Sequence, residues 1–135
     1  MNDLTLSKTD PPFPNKPIRL TITLYAFGNS KSPRLPRENK DILVENGLVR
    51  PTQPPTGAST FANIQNIPLT GHYYKLEQGI ELPSGLGVIA DGKDVGGVHL
   101  PTHHTIYPTR PMSLTEFQEK FLACGWIYVG KKELK

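Results

Sequence analysis

Few groups in this chain can do chemistry, and two short stretches hold the best of them. Gly57-Ala58-Ser59-Thr60-Phe61 places two consecutive hydroxyl residues before an aromatic, and Pro101-Thr102-His103-His104-Thr105-Ile106-Tyr107-Pro108 carries two adjacent imidazoles. Alternation along an extended chain separates the two histidines. Thr102, His104 and Ile106 share one face, and His103, Thr105 and Tyr107 share the other. If Ile106 faces the core, His103 points away from it, which makes His103 the candidate for function and His104 a structural histidine.

The remaining ionisable groups offer less. His99 and His103 have a ligand-like spacing, but an extended chain would hold them far apart. Pro101 breaks any helix between them, and no acidic third ligand is near in sequence, so no metal site is expected. Asp91-Gly92 and Asp94 read as turn residues, Glu116 as a helix cap, and Glu77 and Glu81 as hairpin flanks, so no acid–base carboxylate pair emerges. Cys124, the one cysteine, excludes an internal disulfide and reads as a small buried hydrophobe.

Short elements must position these groups. Residues 1–17, with four prolines, read as an extended arm, and 18–135 as a single domain. Ile18 to Phe27 alternates apolar and polar residues, which predicts one half-buried strand with Ile18, Leu20, Ile22 and Leu24 inward. Ser30 to Asn39 is a proline-broken loop. Asn46-Gly47 predicts a type I′ turn joining 41–45 to 48–50. Further strands are expected at Tyr73–Leu76, Ile80–Leu82, Leu86–Ala90 and Thr102–Tyr107. Gly85-Leu86-Gly87 lacks the third glycine and the helix of a dinucleotide fingerprint. Ser113 and Glu116 form a capping box ahead of Leu114, Phe117, Phe121 and Leu122. Gly125 ends that helix, and Trp126–Val129 returns as a strand.

The bulk properties agree with a small β-rich domain. With 14 prolines and 12 glycines among 135 residues, the chain turns often, which favours short strands over a helical bundle. A net charge of +3 and a pI near 9.0 fit a solvated surface. An RNA-binding surface would interleave aromatic and basic residues, and that pattern is missing. Met1 to Asp10 has no apolar stretch of the kind secretion uses. No apolar run approaches the ~18 residues of a membrane span, so action in a cytoplasm is expected.

At the same patches the sequence resembles a known family, the type VI secretion effector toxins with an ADP-ribosyltransferase-like fold, and their fungal relatives. The resemblance runs from about Leu24 to Pro111. It includes Leu24-Tyr25, Asp41-Ile42, Gly47-Leu48, the Gly57–Phe61 patch, Leu82-Pro83 with Leu86 and Val88, Thr102 to Ile106, and Arg110-Pro111-Met112. It implies an α+β fold with a split β-sheet core, mostly short strands with one C-terminal helix, and a cleft for NAD. It also implies an NAD-dependent toxin that transfers ADP-ribose to a macromolecular acceptor and meets a neutralising immunity protein.

The residues linked to toxicity in that family fall here on Ser59, Thr60 and His103, and the strand that meets the dinucleotide on Tyr25 and Ala26. Tyr25 is placed either to stack on nicotinamide or to pack at the strand end. Two departures stand out. The family's first strand continues Leu-Tyr/Phe-Arg, where this chain has Ala26, and the catalytic glutamate is absent. A weakened or inactive copy is therefore expected. The alternatives are an NAD glycohydrolase and a non-catalytic module that binds a nucleotide or a protein segment.

Overall fold

The computed structural model describes residues 17–65 and 67–133; the expected arm thus lies outside the described residues except for Pro17. Among the described residues the strands are β1 (Leu24–Gly28), β2 (Leu48–Val49), β3 (Ala58–Phe61), β4 (Gly71–Leu76), β5 (Leu86–Ala90), β6 (His103–Pro108), β7 (Met112–Ser113) and β8 (Ile127–Lys132), with one α-helix, α1 (Leu114–Leu122), and a single 3-10 turn at Lys93–Val95. Six strands form an antiparallel sheet in the order β5-β6-β3-β1-β4-β8, and β2 pairs with β7. The fold is α+β, as the resemblance implies. No described helix is long and apolar enough to cross a membrane.

Each face of the sheet buries a different set of side chains. Leu24, Leu76 and Ile106 join Phe117 and Phe121 of α1 in the main core, all completely buried. The opposite face carries a smaller aromatic cluster of Phe61, Ile64 and Ile67, against which Tyr25, Phe27, Tyr73 and Leu100 pack. Period-two alternation within β1 and β3 produces both faces from adjacent residues.

The sheet is split at its centre. Five residue pairs join β1 to β4, four join β3 to β6 and five join β5 to β6, but β1 meets β3 at the single pair Tyr25–Phe61. The loop after β1 explains the gap. Gly28 pairs with His72 of β4 on one side and with Pro33 on the other, and the Arg34 amide donates to the Phe27 carbonyl at 2.9 Å. The loop thus takes the edge of β1 that β3 would otherwise use. Gly28 permits this approach, because a Cβ there would fall 2.6 Å from Pro33 Cα and 2.8 Å from the Arg34 nitrogen.

Several local expectations need correction. The strand expected over Ile18–Phe27 is broken by a bend at Thr21-Ile22, which leaves Ile22 41% exposed. Ile18 and Leu20 instead exchange backbone hydrogen bonds with Leu82, Ile80 and Gly79, so Ile80–Leu82 contributes an isolated bridge rather than a strand. The turn at Asn46-Gly47 forms, with both residues at positive φ and Glu45 bonded to Leu48 in both directions. Residues 41–45 are nevertheless not a strand. The Asp41 carboxylate accepts from the Arg37 amide and guanidinium and coils the segment into a turn, while Leu48–Val49 pairs with β7. The capping box is half made. Ser113 Oγ accepts from the Glu116 amide at 3.0 Å, whereas the Glu116 carboxylate accepts from Arg110 at 2.8 Å.

Candidate functional site

Strand register decides which candidate side chains meet. Phe61 lies opposite His103 and Ser59 opposite Thr105, so these four share a face with Tyr25, the partner of Phe61. Thr60 lies opposite His104, and Ala26 opposite Tyr74, on the other face. The expected meeting of a hydroxyl pair with an imidazole is therefore halved. Ser59 and His103 line one groove, while the Thr60 side chain points into the molecule, fully buried, and donates to the His104 carbonyl at 2.9 Å. Consecutive residues of a strand cannot both face the same groove. Ala26, 2% exposed, continues the buried face of Leu24. Tyr25 packs against Tyr73 with ring centroids 6.1 Å apart, beside the aromatic cluster.

The groove encloses about 260 Å³ and is lined by Phe27, Ser59, Phe61, His99, Leu100 and His103, with Arg34 and Arg37 among its other walls. Both cations come from the loop that splits the sheet. Arg37 is shared with Asp41, at 3.0 Å, but the exposed Arg34 guanidinium makes no hydrogen bond or ion pair among the described residues. A groove of this kind, with aromatic, hydroxyl and imidazole side chains in its walls and two guanidiniums beside them, suits a flat ring joined to an anionic group.

His103 is fixed from below by a carboxylate that the sequence reading assigned to a turn. Asp91 follows β5, and the pairing of Ala90 with His104 brings it beside β6. Its Oδ1 lies 2.5 Å from His103 Nδ1, and its Oδ2 accepts from the Thr105 hydroxyl. Burial lowers the pKa of His103 from its ordinary value. The hydrogen bond and charge of Asp91 act against this, and His99 and His104 add to it. The neutral ring then carries its proton on Nδ1, donated to Asp91, and keeps Nε2 as an acceptor. Phe61 stands edge-on to the ring, with centroids 5.1 Å apart.

His99 also differs from its expected position. Its ring stacks on that of His103 with centroids 4.2 Å apart, although a simple extended chain would have separated them. Asp91 and His99 are thus residues of the candidate site that sequence spacing did not reveal, whereas Thr105 shares the face of His103 as alternation predicts. The one available signal was the placement of Asp91 at the end of a strand whose neighbour carries His103. Cys124 is buried as expected, and burial pushes its thiol up to about 12.

No curated protein and no solved structure gives a significant match to the chain. A family model does match, over residues 18–124, and that span covers β1 through α1 and every groove residue named above. The chain belongs to the Tse2 ADP-ribosyltransferase toxin family.

Proposed function

We propose that the groove binds NAD and that the protein acts inside a cell, transferring ADP-ribose from NAD to a macromolecule. The observation that carries this reading is the shared face of Ser59 and His103, with Asp91 beneath the imidazole and Arg34 and Arg37 at the rim. Family membership supplies the reaction class.

The chemistry makes particular demands. Cleaving the bond between ribose C1′ and nicotinamide nitrogen sends the bonding electrons to the nicotinamide, which leaves neutral. The sugar becomes a cation like that of glycoside hydrolysis. An acceptor nucleophile on the macromolecule then bonds to C1′ and loses a proton; water in its place gives free ADP-ribose. Ser59 Oγ and His103 Nε2 can hold ribose hydroxyls and fix the ring for attack. A neutral His103 adds no positive charge beside the developing cation, so the depressed pKa favours this role.

Thr60 supports the strand under Ser59 rather than meeting ligand through its side chain, and β1 supplies groove wall through Phe27, with Tyr25 in the adjoining aromatic cluster and Ala26 on the opposite face. In the proposal Arg34 and Arg37 grip the diphosphate, a part the family resemblance gives to an arginine at the position of Ala26, each contact contributing about 2 kcal/mol. On this reading Ala26 does not by itself disable the chain.

Isotopically labelled NAD tests the proposal in a cell extract. Transfer leaves label on a macromolecule, hydrolysis leaves free ADP-ribose, and both release nicotinamide. Retention of label in intact NAD, with NAD still bound, would identify a non-catalytic module. Replacing both Arg34 and Arg37 by Gln is expected to weaken NAD at least tenfold while changing nicotinamide riboside little, since only NAD carries the diphosphate.

A further inference from the structure

The connection between β5 and β6 is wound more tightly than a strand return requires. Lys93 donates its amide to the His99 carbonyl at 2.9 Å, Gly97 to the Gly92 carbonyl at 2.9 Å, and His99 to the Asp91 carbonyl at 3.3 Å. The Thr102 amide donates to the Asp94 carboxylate at 2.8 Å and closes the loop's far side. Gly92 and His99 form a parallel bridge as a result. Side chains are excluded from the interior of this turn. A Cβ on Gly92 would lie 2.6 Å from the Leu100 carbonyl oxygen and 2.8 Å from the His103 nitrogen, and one on Gly97 would enter the Asp91 backbone.

The winding brings together three ligand-type side chains from the two ends and the middle of this connection. Donor atoms of Asp91, His99 and His103 all lie within 4.8 Å of one another. His99 Nε2 and Asp91 Oδ2 are 3.7 Å apart, too far for a direct hydrogen bond. That separation suits two atoms that each sit about 2 Å from one shared ion. His103 is held by Asp91, and Thr105 donates to the same carboxylate, as an outer-shell donor orients a metal-binding carboxylate. The His99 side chain is about half exposed, so its ring has room to turn toward an ion.

We infer that Asp91, His99 and His103 form a binding site for a divalent transition-metal ion of the zinc type. Two imidazoles and one carboxylate suit such an ion; magnesium and calcium prefer oxygen ligands. The ion takes the place of the proton between His103 and Asp91, and that proton moves to Nε2 as the neutral ring coordinates through Nδ1. Its open coordination positions face the groove. If the NAD proposal holds, an ion on Nδ1 turns His103 Nε2 from an acceptor into a donor and sits at the wall of the same groove, so metal and NAD compete.

The test uses the full chain without a histidine tag. Zn²⁺ is titrated calorimetrically, and Co²⁺ serves as a visible-absorption probe. One equivalent of Zn²⁺ is expected to bind, with Co²⁺ bands arising in the same stoichiometry. His99→Ala, a change at an exposed side chain, is expected to weaken Zn²⁺ at least about tenfold. His104→Ala, on the opposite face of β6, is expected to retain it. Absence of Zn²⁺ binding by the unaltered protein overturns the inference, as does equal binding by the unaltered protein and His99→Ala. NAD titration of the metal-free protein is read separately. Failure there sinks the NAD proposal and leaves the metal result standing.

Discussion

Around His103, single side chains divide into those that hold the imidazole and those that would meet a ligand. Asp91 belongs to the first group. Asp91→Ala leaves the Nδ1–H of His103, a residue 4% exposed, without its acceptor. A loss of about 1–3 kcal/mol in unfolding free energy is expected, with at least a tenfold fall in NAD cleavage. Asp91→Asn keeps an acceptor oxygen and is expected to recover much of the stability and part of the rate. Equal damage from both variants, followed by denaturant unfolding and nicotinamide release, would count against a positioning role. Ala26 gives the opposite kind of prediction. Its side chain faces the core, so Ala26→Arg is expected to destabilise by about 1–3 kcal/mol and to leave NAD affinity unimproved. An unchanged unfolding midpoint with tighter NAD binding would show that β1 turns this side chain into the groove.

Elements place these residues, and here the sequence was legible only in part. Strand alternation around Ile106 correctly separated His103 from His104, because period two survives wherever one face is buried. The same alternation from Ile18 to Leu24 concealed a break: two short extended segments in line, each paired with a different partner, read like one strand. The Asp91–His99–His103 cluster escaped for a related reason. Its spacing is meaningful only after the glycine-dependent turn at 92–97 has folded the loop back on itself. The loop after β1 depends on a glycine as well. Gly28→Ala is expected to push Pro33 and Arg34 away from β1 and to lower stability by about 1–3 kcal/mol. If Arg34 meets the diphosphate, NAD should weaken with it. A variant of unchanged unfolding midpoint would show that the loop shifts freely.

For the whole molecule, Cys124 is a reporter of global opening. It is 5% exposed in the main core, and its thiol donates to the Lys120 carbonyl at 3.4 Å. Burial raises its pKa from 9.0 to about 12, so the folded state favours the protonated form. The unfolded chain releases this proton first as pH rises. The thiol's contribution to stability is therefore complete below pH 9.0 and falls away between 9.0 and about 12. At pH 8, disulfide-exchange labelling of the folded protein should run about a thousandfold slower than in denaturant. Labelling at equal rates in both states would place the sulfur at the surface.

The segment seated on the edge of β1 has one more consequence. Main-chain bonds at Phe27 and Gly28 prop the two halves of the sheet apart, so the entrance stands ajar before any visitor arrives. Capture then needs no prior unlatching. In rapid mixing, the observed association rate should climb in a straight line with visitor concentration, whereas a plateau would reveal a hidden gate.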